Sequence, residues 1–255
     1  MRTLYVIGIG AGDPEHLTLQ AIKAMRRSDV VFIVDKGAGK AELVDVRRGM
    51  LAEHAPDCRI VEIPDPPRDR TATGVQAAYE GQVTDWHHRR AALFADAVRR
   101  ELDYESVGAF LVWGDPALYD STLRVIDLML AAKSVEFEYE VIPGITSIQA
   151  LAAKHRIPLN RIGESIHVTT GRHLAEGLPP GVDNAVIMLD GACAFSDVPG
   201  DDFDIYWGGN VGTRNEVLVA GSLRSVEHEI EARRSELKDR AGWVMDTYIL
   251  RRHRP

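Results

Sequence analysis

The chain of 255 residues holds two cysteines, Cys58 and Cys193, far apart and in no Cys-x-x-C pair. That excludes a disulfide framework and a short-spaced thiol metal or redox motif. Both read as small buried hydrophobes. No apolar run approaches the roughly eighteen residues a membrane-spanning helix needs, and no apolar h-region precedes the first strand signal. A cytoplasmic protein without membrane partners is expected. Positive charge is also short: 30 Lys and Arg stand against 38 Asp and Glu, a formal net charge of −8. A nucleic-acid surface is normally basic, so nucleic acid is not an expected partner. An acidic small molecule would need basic residues gathered locally, as at Arg68/Arg70, Arg89/Arg90 and Arg172/His173. The plainest reading of each pair is a solvated loop or helix face.

Strand and helix signals alternate through the first half. Strands are predicted at residues 4–9, 30–34, 59–63, 109–112 and 138–142, and helices at 17–28, 83–101 and 118–132. This alternation implies βαβ units and a mostly parallel sheet. The second half reads as shorter strands at 165–169, 184–189, 204–207, 216–220 and 242–250, with helices at 147–155 and 225–238. Direct strand-to-strand links there imply a mixed sheet. The expectation is an α/β protein of two domains, residues 1–142 and 143–255, parted where the fifth strand ends at Pro143-Gly144. A proline- and charge-rich loop at 64–73 precedes the long helix; loops of that length tend to be functional.

A further absence is one glycine. The first strand feeds Gly8, Gly10 and Gly12, and Asp35 ends the second strand, as in a Rossmann fingerprint. A nicotinamide or flavin site needs G-x-G-x-x-G, whereas this chain has G-x-G-x-G followed by Asp13-Pro14. Proline holds its predecessor in extended conformations, and Asp13 puts negative charge where a pyrophosphate would lie. A nicotinamide dehydrogenase is therefore opposed by the spacing. Ligands of open α/β sheets bind beyond the carboxyl ends of the strands. Four loops are expected there: residues 8–14, 35–37, 113–116 and 143–147. Asp115-Pro116 and Thr146-Ser147 also read as caps opening the following helices.

In order along the chain stand G-x-G-x-G-D-P, V-V-F-x-x-D, G-D-P-x-x-Y, P-G-I-T-S and Gly212-Thr213-Arg214-Asn215-Glu216. This series resembles the tetrapyrrole methylases over almost the whole chain. These are two-domain α/β enzymes that use S-adenosylmethionine to modify corrin precursors of vitamin B12 and sirohaem. Ala11 stands where the family usually carries proline, and Trp113 is bulkier than its usual counterpart. Residues 34–37, 111–122, 159–164 and 242–248 are most similar to the branch that methylates a corrin precursor at C1 and expels an acetyl group as acetate.

The resemblance implies a folded S-adenosylmethionine in the cleft between the domains, leaving as S-adenosylhomocysteine, with no metal. Trp113, Gly114, Asp115, Leu118, Thr146, Ser147, Met188, Leu189, Gly212 and Thr213 are the implied contacts. The N-terminal glycine turn, Gly10 and Gly12, is left to face a tetrapyrrole. Acetyl release needs an activated water and an oxyanion donor. Asp13 and Asp35 are the candidate bases and Tyr119 the candidate donor, with His87 or His88 as rivals that otherwise read as a solvated helix face. Arg70, Arg161, Arg172 and Arg214 are candidates for substrate carboxylates. A homodimer is implied by resemblance alone. Alternatives left open are a sibling methylase acting on another corrin precursor, a methylase of protein or RNA, and a non-catalytic tetrapyrrole-binding protein.

Overall fold

Apolar residues on both faces of the first strand force it into the middle of a sheet covered on two sides. The computed structural model describes residues 1–35, 41–67 and 76–253. Lys36, Gly37, Arg68, Arg70 and most of the proline-rich loop lie outside the described residues. The chain divides into two units, Met1–Gly10 with Pro14–Ile145, and Ala11–Asp13 with Thr146–Pro255.

In the first unit, strands β1 (Arg2–Gly8), β2 (Val30–Asp35), β3 (Arg59–Pro64), β4 (Val107–Val112) and β5 (Phe137–Ile142) form one sheet in the order β3-β2-β4-β1-β5. Every pairing is parallel. Helices α1 (Leu19–Arg26) and α2 (Ala41–His54) cover one face, and α3 (Gln76–Glu101) and α4 (Thr122–Ala132) the other. Leu4 and Val6 pack with Phe94, Val98 and Ile126 on the α3–α4 side. Tyr5 and Ile7, one register step away, pack with Ala24, Met25 and Met50 on the α1–α2 side. That alternation is the period of two made physical.

The second unit holds α5 (Ser147–His155), β6 (His167–Thr170), α6 (Gly171–Leu174), β7 (Asn184–Met188), β8 (Phe203–Gly209), β9 (Val217–Ser222), α7 (Leu223–Ala241) and β10 (Asp246–Arg252). Its sheet runs β6-β7-β10-β8-β9, with β6 and β7 parallel and the other pairs antiparallel. Trp207, Tyr248, Phe195 and Phe203 fill the core under α7.

Several boundaries depart from expectation for identifiable reasons. The helix expected from residue 118 begins at Thr122, because Tyr119 adopts a left-handed backbone (φ 51°) that no α-helix accepts. The strand expected from 242 begins at Asp246, since Gly242 (φ 76°) closes α7 as a left-handed cap. Helix α2 was not anticipated. Its apolar Leu43, Val44, Met50 and Leu51 are interrupted by Arg47, Arg48 and Gly49, which blurs the stripe. Arg90 does not lie on a solvated face: it is 5% exposed and paired with Asp65 at 3.0 Å. Cys58 and Cys193 are half-buried rather than core residues.

Candidate functional site

Three neighbouring strands of the first unit, β4, β1 and β5, end at glycine-bearing turns. The turns touch so closely that side chains are barred. A Cβ on Gly144 would lie 2.2 Å from the Gly114 carbonyl oxygen, and one on Gly8 would lie 2.6 Å from the Gly144 nitrogen. Gly10 and Gly114 form an antiparallel bridge, exchanging N–H···O bonds of 2.8 and 3.3 Å. Asp115 fastens this arrangement. Its Oδ1 accepts from the Ala117 N–H and its Oδ2 from the Gly144 N–H, both at 2.8 Å. The side chain thus ties the β4 turn to the β5 turn. Asp115 does not cap α4, whose N-cap is Ser121; Asp120, just before it, accepts from the Thr122 N–H at 2.6 Å.

Beyond that bridge, Pro14–His16 forms a single 3-10 turn, and α1 starts only at Leu19 with Thr18 accepting from the Ala21 N–H at 3.0 Å. No helix N-terminus therefore opens directly off the glycine turn, as a pyrophosphate site would require. Asp13 is half-buried and grouped with the second unit. Asp35 is exposed at the end of β2, and its carbonyl accepts from the Asp65 N–H at 2.9 Å. Leu118 is half-buried, while Tyr119 is 44% exposed and strained. Partial burial raises the Tyr119 phenol above its ordinary value. Trp113 packs inward on the α2 side, its ring 5.7 Å from the Arg47 guanidinium.

In the second unit, Thr146 caps α5 through a reciprocal box. The Gln149 Oε1 accepts from the Thr146 N–H at 3.0 Å and from the Thr146 hydroxyl. Ser147 accepts from the Thr247 hydroxyl at 3.0 Å, tying the start of α5 to β10. Directly after β7, Leu189 combines a left-handed backbone (φ 55°) with 59% exposure. A strained, solvent-facing leucine is the reverse of a core leucine, and it sits beside half-buried Met188. The Gly212-Thr213 turn is braced from within. Gly212 donates to Glu216 Oε2 at 2.8 Å and Thr213 Oγ1 donates to the Asn210 carbonyl at 2.9 Å.

Of the candidate arginines, Arg161 is held by Asp183 at 3.1 Å and by the Arg252 carbonyl, an arrangement that anchors the segment before β6. Arg172, on α6, and Arg214 are exposed. His88 is exposed, and His87 is half-buried with its ring against Trp86. Sequence reasoning missed Arg47, which is half-buried and whose guanidinium donates to the carbonyls of Leu43 and Leu111.

Residues 3–227 match the family model described as Tetrapyrrole (Corrin/Porphyrin) Methylases. The chain belongs to this family. The methylase is 47% identical over 254 residues to a precorrin-6A synthase [deacetylating] from Sinorhizobium sp, covering 99% of this chain and 96% of that protein. It is 32% identical over 166 residues to a precorrin-2 C(20)-methyltransferase from the same source, covering 65% of this chain and 62% of that one. A crystal structure from Corynebacterium diphtheriae, described as related to cobalamin synthesis (CobF), superposes at a TM-score of 0.85 with 41% identity and 98% of each chain covered. A uroporphyrin-III C-methyltransferase from Thermus thermophilus, solved with S-adenosylhomocysteine, shares the fold at a TM-score of 0.60 and 17% identity, over 97% of this methylase and 91% of that chain.

Proposed function

We propose that this chain is an S-adenosylmethionine-dependent C-methyltransferase of cobalamin biosynthesis. It methylates C1 of precorrin-5 and releases the acetyl group as acetate, giving precorrin-6A. The observation that carries this reading is the 47% identity to a deacetylating precorrin-6A synthase along 99% of the chain.

The residues present suit the methyl donor. In the first unit, the Gly114–Asp115 turn offers backbone stripped of side chains and an acidic group beside it. In the second, exposed Leu189 and half-buried Met188 offer apolar surface for an adenine, and Thr146, Ser147, Gly212 and Thr213 offer polar groups at braced turns. Trp113, packed inward, and half-buried Leu118 complete the proposed set. When bound, the donor supplies a methyl group to a carbon nucleophile. A sulfonium is a cation, and an acidic site favours it.

The chain's own task is the acetyl group. Water must add to the acetyl carbonyl and lose a proton; the bond between the acetyl carbon and ring carbon C1 then breaks, acetate leaves, and the bond's electron pair stays on C1. Asp35 and Asp13 are the proposed proton acceptors, and either also suits pyrrole N–H groups. Tyr119 is the proposed donor to the oxyanion, and its raised pKa keeps the phenol protonated at neutral pH. Gly10 and Gly12 present backbone to the macrocycle, with Arg172 and Arg214 toward its carboxylates. A cytoplasmic location, expected from the sparse cysteines, and a homodimer, which rests on family resemblance, complete the reading; light scattering tests the second.

Titration calorimetry with S-adenosylhomocysteine and with NAD tests the cofactor. Saturable binding of the first and none of the second is expected. The opposite result would return the glycine turn to the nicotinamide reading.

A further inference from the structure

Between β2 and β4, toward their carboxyl ends, the first unit carries a partly open cavity of about 70 Å³. Apolar Phe32, Val34, Leu43 and Trp113 form part of its wall, and Arg47, Arg90 and Asp120 bring charge to it. A single water occupies roughly 10–15 Å³ on this kind of measure. The space therefore holds a small organic group and excludes a macrocycle.

Its charges are unequally satisfied. Arg90 pairs with Asp65 at 3.0 Å, donates to Ser121 Oγ at 2.8 Å and lies 4.5 Å from the centre of the Trp86 ring. Asp120 spends one oxygen on the Thr122 N–H at the start of α4. Arg47 has only backbone oxygens. Its Nε donates to the Leu111 carbonyl at 3.1 Å and its Nη1 to the Leu43 carbonyl at 2.6 Å. Burial lowers its pKa to about 10, against the attraction of Asp120, so the group stays cationic at neutral pH. No carboxylate of the described residues lies within ion-pairing distance of it; Asp120 acts from further away. Arg47 is half-buried, and withdrawing a cation from water without a paired anion is costly. A cation retained at such a position, facing a cavity, is suited to an anion that arrives from outside.

We propose that this cavity is a carboxylate-binding site, with the Arg47 guanidinium as its fork and Arg90 as a second positive neighbour. A guanidinium matches a carboxylate in shape and takes it through paired N–H bonds. The apolar walls accept the methyl or methylene next to it, which inorganic anions lack. Under the proposed function, on which the identity of the ligand rests, two sources have this chemistry. One is a peripheral carboxylate side chain of the tetrapyrrole; the other is the acetate set free by the reaction.

The test uses the full chain, its Arg47→Gln variant, and Val34→Phe, which fills the space while leaving both arginines in place. Carbon-13-labelled acetate is titrated at constant ionic strength against chloride, with linewidth as the readout. Saturable acetate binding, weakened at least tenfold in either variant, assigns the site to free acetate. Absence of acetate binding, joined to a tenfold or greater rise in KM for the tetrapyrrole in either variant at unchanged S-adenosylhomocysteine affinity, assigns it to the substrate side chain. If acetate is displaced equally by chloride, or if neither acetate binding nor KM depends on these residues, the proposal is overturned. Failure of the wild type to bind S-adenosylhomocysteine would count against the methyltransferase reading instead, and the acetate titration would still judge the site.

Discussion

Both oxygens of Asp115 are spent on backbone N–H groups, and this determines what its replacement does. Asn offers one carbonyl oxygen for two donors, so one N–H loses its acceptor at a cost of about 1–3 kcal/mol. Asp115→Asn is therefore expected to lower the melting temperature by several degrees and to weaken S-adenosylhomocysteine binding, both readable by thermal shift and calorimetry. Asp35 ends β2 exposed, so its loss should leave stability alone. Asp35→Asn is expected to cut acetate release at least tenfold at an unchanged melting temperature; undiminished turnover would remove it from the mechanism. Asp246 behaves differently again. Burial pushes its carboxyl up to about 6, against the pull of Arg234 at 2.7 Å. A folded-state pKa above the unfolded one stabilises most at pH below about 4 and loses that contribution as pH rises through about 6. Between pH 4 and 7 wild type should accordingly lose stability relative to Asp246→Asn, on the order of 3 kcal/mol by denaturant titration. The glycine spacing and Asp13-Pro14 were legible in the sequence because they are local. Arg47 and Arg90 were not, since an arginine's burial is decided by partners from other elements.

At the scale of the element, β1, β2 and β4 were readable because both their faces are buried, leaving near-continuous apolar runs, while the largely exposed edge strands β3 and β5 were readable from their β-branched and aromatic residues. Helix α5 matched its expected span, residues 147–155, because Thr146 and Gln149 announce its start. Helix α4 did not, because its first turn is displaced by the Asp115 tie and by Tyr119. The ends of β1, β4 and β5 make one packed unit of backbone, which yields a sharp expectation. Gly144→Ala would set a methyl carbon 2.2 Å from the Gly114 oxygen, which only a backbone shift can relieve. Overpacking of this kind costs about 1–3 kcal/mol or more. The variant should melt several degrees lower and lose S-adenosylhomocysteine affinity, whereas Gly81→Ala, exposed on α3 with open space around it, should keep that affinity.

For the whole molecule, two sheets of different character come from one chain of fewer than 300 residues, a parallel one and a mixed one. The sequence pattern foretold both, through helices alternating with strands in one half and direct strand links in the other. The chemistry was legible only through the order of five loop motifs, since no one loop names a reaction. The central claim is that this one chain joins methyl transfer to removal of an acetyl group. Mass analysis of the product formed from precorrin-5 and S-adenosylmethionine tests that claim most directly. The expected product has gained one methyl and lost one acetyl, with acetate and S-adenosylhomocysteine released in equal amounts. A methylated product that keeps its acetyl group would contradict it.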